Sequence, residues 1–182
     1  MNDQPSTATE TTQYTGRKFR VVRRDVPTAN GRTKSVDLVR HPGAVVILPL
    51  LSDDEIIMIR NFRYTLDRDV WELPAGTLDV AGEPIIEAAA RELEEEAGYR
   101  AGRLAPLCVI HPSPGMLDER IEAFVATGLQ QTRQQLEPTE RITVETVKWC
   151  DAIEMCRSGE ITDAKTQVAL FQWQMQREGK AE

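Results

Sequence analysis

Long apolar runs, aromatic residues and cysteines are all scarce in this chain of 182 residues. No apolar stretch approaches the roughly 18 residues of a membrane-spanning helix, so we expect neither a membrane anchor nor a membrane partner. The cysteines are Cys108, Cys150 and Cys156, and they form no CxxC pair. An odd number of cysteines without metal-ligand spacing is typical of reduced, structural thiols in a cytoplasmic protein.

Positive charge is also in deficit, with 22 lysines and arginines against 29 acidic residues and a net charge of -7. This balance argues against nucleic acid as the main partner, and an anionic substrate would need metal ions or local arginines to offset the repulsion. The length suits one domain with a sizeable core. The first residues, MNDQPSTATETTQ, lack the basic and apolar regions of a signal peptide, and we expect residues 1–13 to form a disordered tail.

The most informative stretch spans residues 76–99, GTLDVAGEPIIEAAARELEEEAGY. Pro84 suits a first helical position and Gly98 suits the position just past a helix end, so together they bracket a helix of about four turns. Apolar residues at helical spacing predict one buried side for this helix. They are Ile86, Ala89, Ala90, Leu93 and Ala97.

Acidic residues crowd the last turns of this helix, where they oppose its stability. They are Glu92, Glu94, Glu95 and Glu96. The helix dipole is negative at this end and like charges three or four positions apart repel, each effect costing a few tenths of a kcal/mol. Glu92 and Glu96 project together about 6 Å apart, a spacing suited to Mg²⁺ with a phosphate as a further ligand. A run of glutamates also forms solvated acidic helix faces, so the run alone does not decide between the two.

The order of residues decides it, because Arg91-Glu92-Leu93-x-Glu95-Glu96-x-Gly98-Tyr99, with Gly76 and Glu83 before it, resembles the Nudix box. This loop-helix-loop signature belongs to hydrolases that cleave nucleoside diphosphates linked to another moiety. Six residues separate Gly76 from Glu83, one more than in the family pattern. The resemblance implies an α/β fold, the Nudix α/β/α sandwich with a mixed central sheet, over residues 43–182. It also implies Mg²⁺, with Mn²⁺ as an alternative, bound by Glu92 and Glu96.

Two further segments resemble ADP-ribose pyrophosphatases within this family. WELPAG at residues 71–76 leads into the box, and the resemblance makes the backbone carbonyl of Ala75 a metal ligand; Trp71 either fills the core or stacks on a base. SPG at residues 113–115 follows Gly98 at the spacing that marks this subfamily. The resemblance implies a set of substrate-binding residues, with Arg63 reaching a phosphate as a planar fork. They are Arg63, Glu72, Ser113, Gly115 and Glu119.

The catalytic base is expected in residues 130–141, QQTRQQLEPTER, which are polar and long for a hairpin loop. In the resembling subfamily this loop carries a Glu-x-Glu pair whose second member is also a metal ligand. Glu140 matches the second glutamate, and Glu137 lies one place away from the first. The base assignment is therefore divided between Glu137 and Glu140, with Glu95 of the box as the third candidate.

Residues 14–42 are predicted to form a separate small β region, with strands at Lys18–Arg24 and Ser35–His41 around a turn at residues 28–31. A hairpin alone buries too little area to be stable. The resemblance implies that this region is a dimerisation sheet, and hence that the protein is a homodimer.

The remaining elements are predicted from apolar periodicity. Five strands are expected at residues 43–51, 55–62, 104–111, 121–127 and 142–149. Two helices are expected at residues 151–157 and 163–176, as outer layers without a chemical role. The second of these helices is predicted to bury Val168, Leu170, Phe171 and Met175.

Together these patterns predict a Mg²⁺-dependent Nudix hydrolase that converts ADP-ribose to AMP and ribose 5-phosphate. The first alternative is a hydrolase of another nucleoside diphosphate sugar, such as ADP-glucose, GDP-mannose or UDP-glucose. The second is a module that senses ADP-ribose without cleaving it. Such modules typically lose carboxylates of the box, whereas this chain keeps all of them.

Overall fold

The computed structural model describes residues 9–179 of the chain. The first three strands form an antiparallel sheet in the order β1-β2-β3. They are β1 (Glu10–Thr15), β2 (Arg20–Pro27) and β3 (Thr33–Arg40). The turn between β2 and β3 holds Gly31 at a φ of 77°, a left-handed conformation that glycine adopts without strain.

The prediction of a disordered tail over residues 1–13 is wrong for residues 10–13, which lie in β1. Residues 1–8 lie outside the described residues. Strand β1 is fully exposed, yet its backbone pairs with β2 from Glu10 opposite Arg24 to Thr15 opposite Arg20. Backbone pairing and β-branched threonines form this strand although it has no buried face. Hydrophobic alternation detects only strands that bury one face, so it did not indicate β1.

The rest of the chain alternates strands with three helices. The elements are β4 (Ala44–Pro49), β5 (Glu55–Arg63), β6 (Arg68–Glu72), β7 (Ala75–Thr77), α1 (Ile85–Ala97), β8 (Tyr99–Arg100), β9 (Arg103–Ile110), β10 (Ile121–Thr127), β11 (Gln130–Gln131), β12 (Ile142–Lys148), α2 (Trp149–Ser158) and α3 (Ala164–Glu178). A four-stranded sheet has the order β7-β4-β10-β9, in which β4 and β10 run parallel and the other pairs antiparallel. A second, antiparallel sheet has the order β12-β5-β6, and β8 pairs with β11.

Strands β4 and β5 are buried on both faces, which explains their continuous apolar runs. Successive residues of β4 alternate between two core clusters, with Val45 and Ile47 in one and Val46 and Leu48 in the other. Helix α1 packs into the first cluster, and α2 and α3 pack into the second. The predicted α/β/α sandwich with a mixed sheet is confirmed. No helix within residues 9–179 is long and apolar enough to cross a membrane.

Helix α1 differs from its prediction in two details. Pro84 is the N-cap, with φ -60° and ψ 137°, and not the first helical residue. Ile86 is 45% exposed, because Ile85 and Ala88 turn toward the core in its place. Gly98 ends the helix as predicted, in the left-handed conformation with a φ of 69°.

Helix α3 contacts the sheet through small residues. Asp163 caps it by accepting a hydrogen bond from the Thr166 N–H group at 3.0 Å, and Thr166, Ala169 and Leu170 are buried. The predicted burial of three larger side chains is wrong, because a helix that lies close to the sheet on its small residues turns the others outward. Their exposed fractions are 40% for Val168, 40% for Phe171 and 61% for Met175.

Candidate active site

A cavity of about 920 Å³ opens where the end of β5, β7, α1, the loop before β12 and the start of α3 converge. Most of the predicted site residues line it. They are Arg63, Ala75, Glu92, Glu95, Glu96, Glu119, Glu137 and Glu140. Glu72, Ser113 and Gly115 are not among the lining residues. Trp71 also stays outside the cavity and packs against the core, as the first of its two interpretations predicts.

Gly76 lies in direct contact with the Glu92 carboxylate. A Cβ atom at position 76 would lie 1.9 Å from Glu92 Cδ and 2.1 Å from Oε1, so no other residue fits while Glu92 keeps this position. Strand β7 holds Gly76 opposite Val45 of β4, which places α1 directly above the strand. The glycine of the box is therefore required by close packing.

Arg91 connects the carboxylates of the box. Its Nε and Nη2 atoms each donate to Glu83 at 3.0 Å, and Nη1 donates to Glu92 at 2.7 Å and to Glu95 at 2.9 Å. The hydrogen bonds from Arg91 hold the pKa of Glu83 below its usual value. The additional loop residue between Gly76 and Glu83 does not prevent this contact. Arg91 thus orients the acidic side chains, as metal-ligand carboxylates require.

Glu96 is only 4% exposed, and its Oε2 atom accepts a hydrogen bond from the Ala75 N–H group at 2.8 Å. Burial raises the pKa of Glu96 to about 8, and the charges of Glu92 and Glu140 contribute to this rise. Burial likewise raises the pKa of Glu92, against the hydrogen bond from Arg91. As a pair these carboxylates are short of positive charge, because no cationic side chain within residues 9–179 donates to Glu96 and Glu92 shares Arg91 with Glu83 and Glu95.

Residues 9–179 contain no group of three His, Cys, Asp or Glu side chains already arranged around a metal position. A cation beside Glu92 and Glu96 would therefore take further oxygen ligands from the backbone, from a rearranged side chain or from a bound phosphate. Hard oxygen ligands of this kind suit Mg²⁺ and Mn²⁺. The raised pKa values of the two glutamates fit such a cation, because it would stabilise their ionised forms.

Glu72 lies behind the cavity wall and is surrounded by cations. It is 2% exposed and accepts two hydrogen bonds from Arg63, Nε to Oε1 at 2.6 Å and Nη2 to Oε2 at 2.5 Å. The ammonium group of Lys165 donates to the same carboxylate at 2.7 Å. Burial alone would raise the pKa of Glu72, but these cations outweigh it and hold the pKa below its usual value. Glu72 therefore fixes two cationic side chains at the edge of the cavity.

Lys165 and Asp163 were not predicted as site residues, and their helix was expected to have no chemical role. Lys165 also donates to Asp163 at 2.8 Å, and both residues line the cavity. Asp163 has a recognisable helix-capping pattern, but no local signal places Lys165 beside a glutamate that lies 93 positions earlier.

The loop before β12 brings both base candidates to the cavity. Glu140 accepts a hydrogen bond from the Glu137 N–H group at 2.8 Å. The Glu137 carboxylate lies 3.9 Å from Arg17, an exposed pair formed by the loop between β1 and β2 of the same chain. Arg17 and Lys18 line the cavity from this side, and the sequence did not indicate either of them.

The SPG loop packs against the N-terminal sheet. The Val39 N–H group of β3 donates to the Met116 carbonyl at 2.8 Å, and the His41 N–H group donates to Asp118 at 2.8 Å. Glu119 reaches the cavity at the end of this loop, with its Oε1 atom 3.5 Å from His41 Nδ1. The substrate contacts predicted for Ser113 and Gly115 stay predictions.

The sequence profile of the NUDIX domain matches residues 39–174. The ADP-ribose pyrophosphatase of Bacillus subtilis (strain 168) is 36% identical over 159 residues, covering 86% of this chain and 85% of that protein. The ADP-ribose pyrophosphatase of Mycobacterium tuberculosis (strain ATCC 25618 / H37Rv) is 36% identical over 161 residues, covering 87% and 77%. A crystal structure of an ADP compounds hydrolase matches the fold with a TM-score of 0.82, at 23% identity over 98% of each chain.

The profile match spans most of the chain and contains every cavity residue except Arg17 and Lys18. It also contains the whole Arg91 network that holds the carboxylates of the box. The chain belongs to the Nudix family of hydrolases.

Proposed function

We propose that the protein is a Mg²⁺-dependent pyrophosphatase that hydrolyses ADP-ribose to AMP and ribose 5-phosphate. One observation carries the proposal. A single cavity combines two carboxylates that are short of positive charge, Glu92 and Glu96, with two fixed cations, Arg63 and Lys165. A metal-bound diphosphate is complementary to both pairs, because the metal satisfies the acids and the phosphate oxygens satisfy the cations.

The metal ligands would be Glu92, Glu96, Glu140 and the backbone carbonyl of Ala75. Gly76 permits close approach at this point because it has no side chain. When bound, Mg²⁺ or Mn²⁺ neutralises charge on the diphosphate and promotes the ionisation of water. The Ala75 N–H group supports the arrangement by holding the Glu96 carboxylate against β7.

Arg63 would orient the substrate. Its Nε and Nη2 atoms are occupied by Glu72, and no hydrogen bond joins Nη1 to any other residue in the described part of the chain. Nη1 is therefore available to a phosphate oxygen while Glu72 holds the plane of the guanidinium group.

Glu140 is the first candidate for the base that takes a proton from the attacking water. The proposal is supported by its charge, which contributes to the raised pKa values of both Glu92 and Glu96, the two proposed metal ligands of α1. Glu137 remains the second candidate, and Glu95 the third because it is bound to Arg91. Single Gln variants of the three, compared in kcat, test the order, since loss of a general base lowers the rate about 10²- to 10⁴-fold.

The choice of ADP-ribose is supported by the WELPAG and SPG segments and by the names of the two bacterial relatives. The test is a panel of ADP-ribose, ADP-glucose, GDP-mannose and UDP-glucose with Mg²⁺, Mn²⁺ or a chelator, with phosphomonoester release as the readout. We expect ADP-ribose to have the highest kcat/KM and the chelator to abolish turnover. If another nucleotide sugar has the highest kcat/KM, that compound replaces ADP-ribose as the proposed substrate. Binding of ADP-ribose without turnover would identify a sensor.

We also propose a cytoplasmic homodimer. Three free cysteines support a reducing compartment. The fully exposed strand β1 and the exposed Tyr14 and Phe19 support a second copy packed on the N-terminal sheet. Light scattering of the purified protein tests the dimer; a monomer at micromolar concentration would contradict it.

A further inference from the structure

Asn61 is a largely buried polar residue whose amide has no hydrogen-bond partner among residues 9–179. Four polar or charged residues in the described part of the chain are buried, and three of them have clear partners. Glu72 receives Arg63 and Lys165, Glu96 receives the Ala75 N–H group, and Thr166 accepts a hydrogen bond from the Leu73 N–H group at 2.9 Å. The Asn61 side chain is 5% exposed and has no hydrogen bond to another residue within residues 9–179.

The position of Asn61 within its strand is unfavourable for an amide. It lies in β5, the middle strand of its sheet, opposite Ile142 of β12 and Val70 of β6. Asn is disfavoured in strands, and an amide among apolar neighbours is less stable there than a leucine of similar size. A local rule broken without a gain in folding is expected at functional sites.

The remaining exposure of Asn61 opens into the cavity, which this residue lines together with Arg63. Side chains alternate along a strand, so Asn61 and Arg63 lie on the same face of β5, two residues apart. Ile57 and Ile59 continue that face into the core cluster beneath α1. Asn61 is thus the last residue of the cavity floor, next to the cation that faces the proposed diphosphate position.

We propose that Asn61 binds the substrate diphosphate, with its Nδ2 group donating a hydrogen bond to a phosphate oxygen next to the one that Arg63 contacts. The inference rests on the proposed function for its ligand class, a nucleoside diphosphate. A neutral donor suits this position, since a carboxylate would repel the phosphate. Water in the cavity solvates the amide in the free protein, and the phosphate replaces it.

The test uses Asn61→Leu and Asn61→Asp in the full-length protein, with Asn61→Ala in reserve if the larger side chain prevents folding. Ile59→Val is the matched control, because it perturbs the same face of β5 without touching the cavity. The readouts are KM and kcat with ADP-ribose, the Kd of α,β-methylene ADP-ribose, the Kd of inorganic pyrophosphate and the melting temperature.

We expect Asn61→Leu to raise KM and both Kd values about 10- to 100-fold, as loss of a hydrogen bond to a charged group does. Its melting temperature equals or exceeds that of the wild type, since no partner is lost. Asn61→Asp binds more weakly still, and Ile59→Val binds normally. Normal binding by Asn61→Leu, or a fall in its melting temperature without a change in binding, would overturn the proposal.

The pyrophosphate measurement separates the two proposals of substrate and residue. If the wild type neither binds nor hydrolyses ADP-ribose but binds pyrophosphate more tightly than Asn61→Leu does, the substrate assignment is wrong and the role of Asn61 stands. If the wild type binds neither the methylene analogue nor pyrophosphate, both proposals are wrong.

Discussion

Two buried glutamates on either side of one cavity have opposite surroundings. Glu72 is 2% exposed and accepts hydrogen bonds from two cations, and its pKa is lowered. Glu96 is 4% exposed and accepts one hydrogen bond from a backbone N–H group, and its pKa is raised to about 8 by burial. Burial raises the pKa of both carboxylates, and the cationic partners of Glu72 reverse the direction of its shift. The carboxylate of Glu72 already has its cationic partners within the chain, whereas the raised pKa of Glu96 fits the cation that we propose for this site.

The largest expected effect is on turnover, in Glu96→Gln. Glu96 is a proposed metal ligand, and the loss of such a ligand removes several kcal/mol of transition-state stabilisation, so we expect kcat to fall about 10³- to 10⁴-fold. The melting temperature of the metal-free protein does not fall, because burial disfavours the charged form of Glu96 and a neutral amide whose oxygen accepts from the Ala75 N–H group replaces it. Steady-state kinetics and calorimetry measure the two quantities.

Glu94→Gln is the matched control for this prediction. Glu94 lies in the same turn of α1 but pairs with Arg100 and does not line the cavity. We expect its rate to stay within about twofold of the wild type, as for an exposed pair. Equal losses in the two variants would mean that the helix, and not the cavity, is sensitive to charge.

The next largest effect is on stability, in Glu72→Gln. Removing the buried carboxylate costs on the order of 3 kcal/mol, the lower end for a buried pair, because the Arg63 side chain is 39% exposed and Lys165 keeps its contact with Asp163. A protein of this size then melts roughly 10 °C lower. Asp69→Asn, which breaks the exposed pair with Arg60, is expected to cost less than about 1 kcal/mol. A similar melting temperature for the two variants would contradict the difference between buried and exposed pairs.

The pH dependence of Glu72→Gln has a defined sign. The folded pKa of Glu72 is below the reference value of 4.5, so its stabilisation is fully present above that pH and is lost as the pH falls through the folded pKa. The stability difference between wild type and variant therefore shrinks below pH 4.5. Arg63 and Lys165 face this carboxylate, and Asp163 shares Lys165 with it. Denaturant unfolding at pH 7 and pH 3.5 measures the difference, and a constant gap would contradict it.

The substitution Gly76→Ala displaces a carboxylate of the box without changing any charge. In Gly76→Ala the added methyl group occupies the position of the Glu92 carboxylate, so Glu92 moves away from β7. We expect kcat to fall about 10²-fold, as for the misplacement of a catalytic group. Gly179→Ala is the control, because its Cβ atom would meet only the Met175 carbonyl at 3.5 Å. Normal turnover by Gly76→Ala would show that Glu92 functions from another position.

Local patterns were sufficient to predict the parts of this site that lie close together in sequence. Gly76, Arg91, Glu92 and Glu96 lie within one loop and one helix, so their spacing implies their geometry. Strands β4 and β5 were predicted because burial on both faces leaves a continuous apolar run. On α3 the predicted burial of Leu170 is confirmed and that of Val168, Phe171 and Met175 is wrong, because apolar periodicity does not reveal which face of a helix lies against a sheet.

The cationic partners of Glu72 could not be predicted from the sequence. Glu72 was assigned to substrate by resemblance, yet its oxygens contact Arg63 and Lys165. The contact with Lys165 depends on where α3 begins relative to β6, a tertiary relation that spans 93 positions. Asn61 was missed for a similar reason, since only the finished sheet shows that its amide has no hydrogen bond within the described part of the chain.

The smallest expected effect comes from Lys165→Met, which removes one of the two cations of Glu72. Two protons of the Lys165 ammonium point to Glu72 and Asp163, which leaves the third for a ligand in the cavity. We expect KM to rise about 10-fold with kcat nearly unchanged, since a charge-assisted contact to substrate is lost and the box is intact. Lys165→Arg restores most of this affinity, and the exposed Lys34→Met has no effect. An unchanged KM together with a lower melting temperature would assign Lys165 to the fold alone. The fixed cations would then reduce to Arg63, and its Nη1 atom would remain the proposed contact to the phosphate.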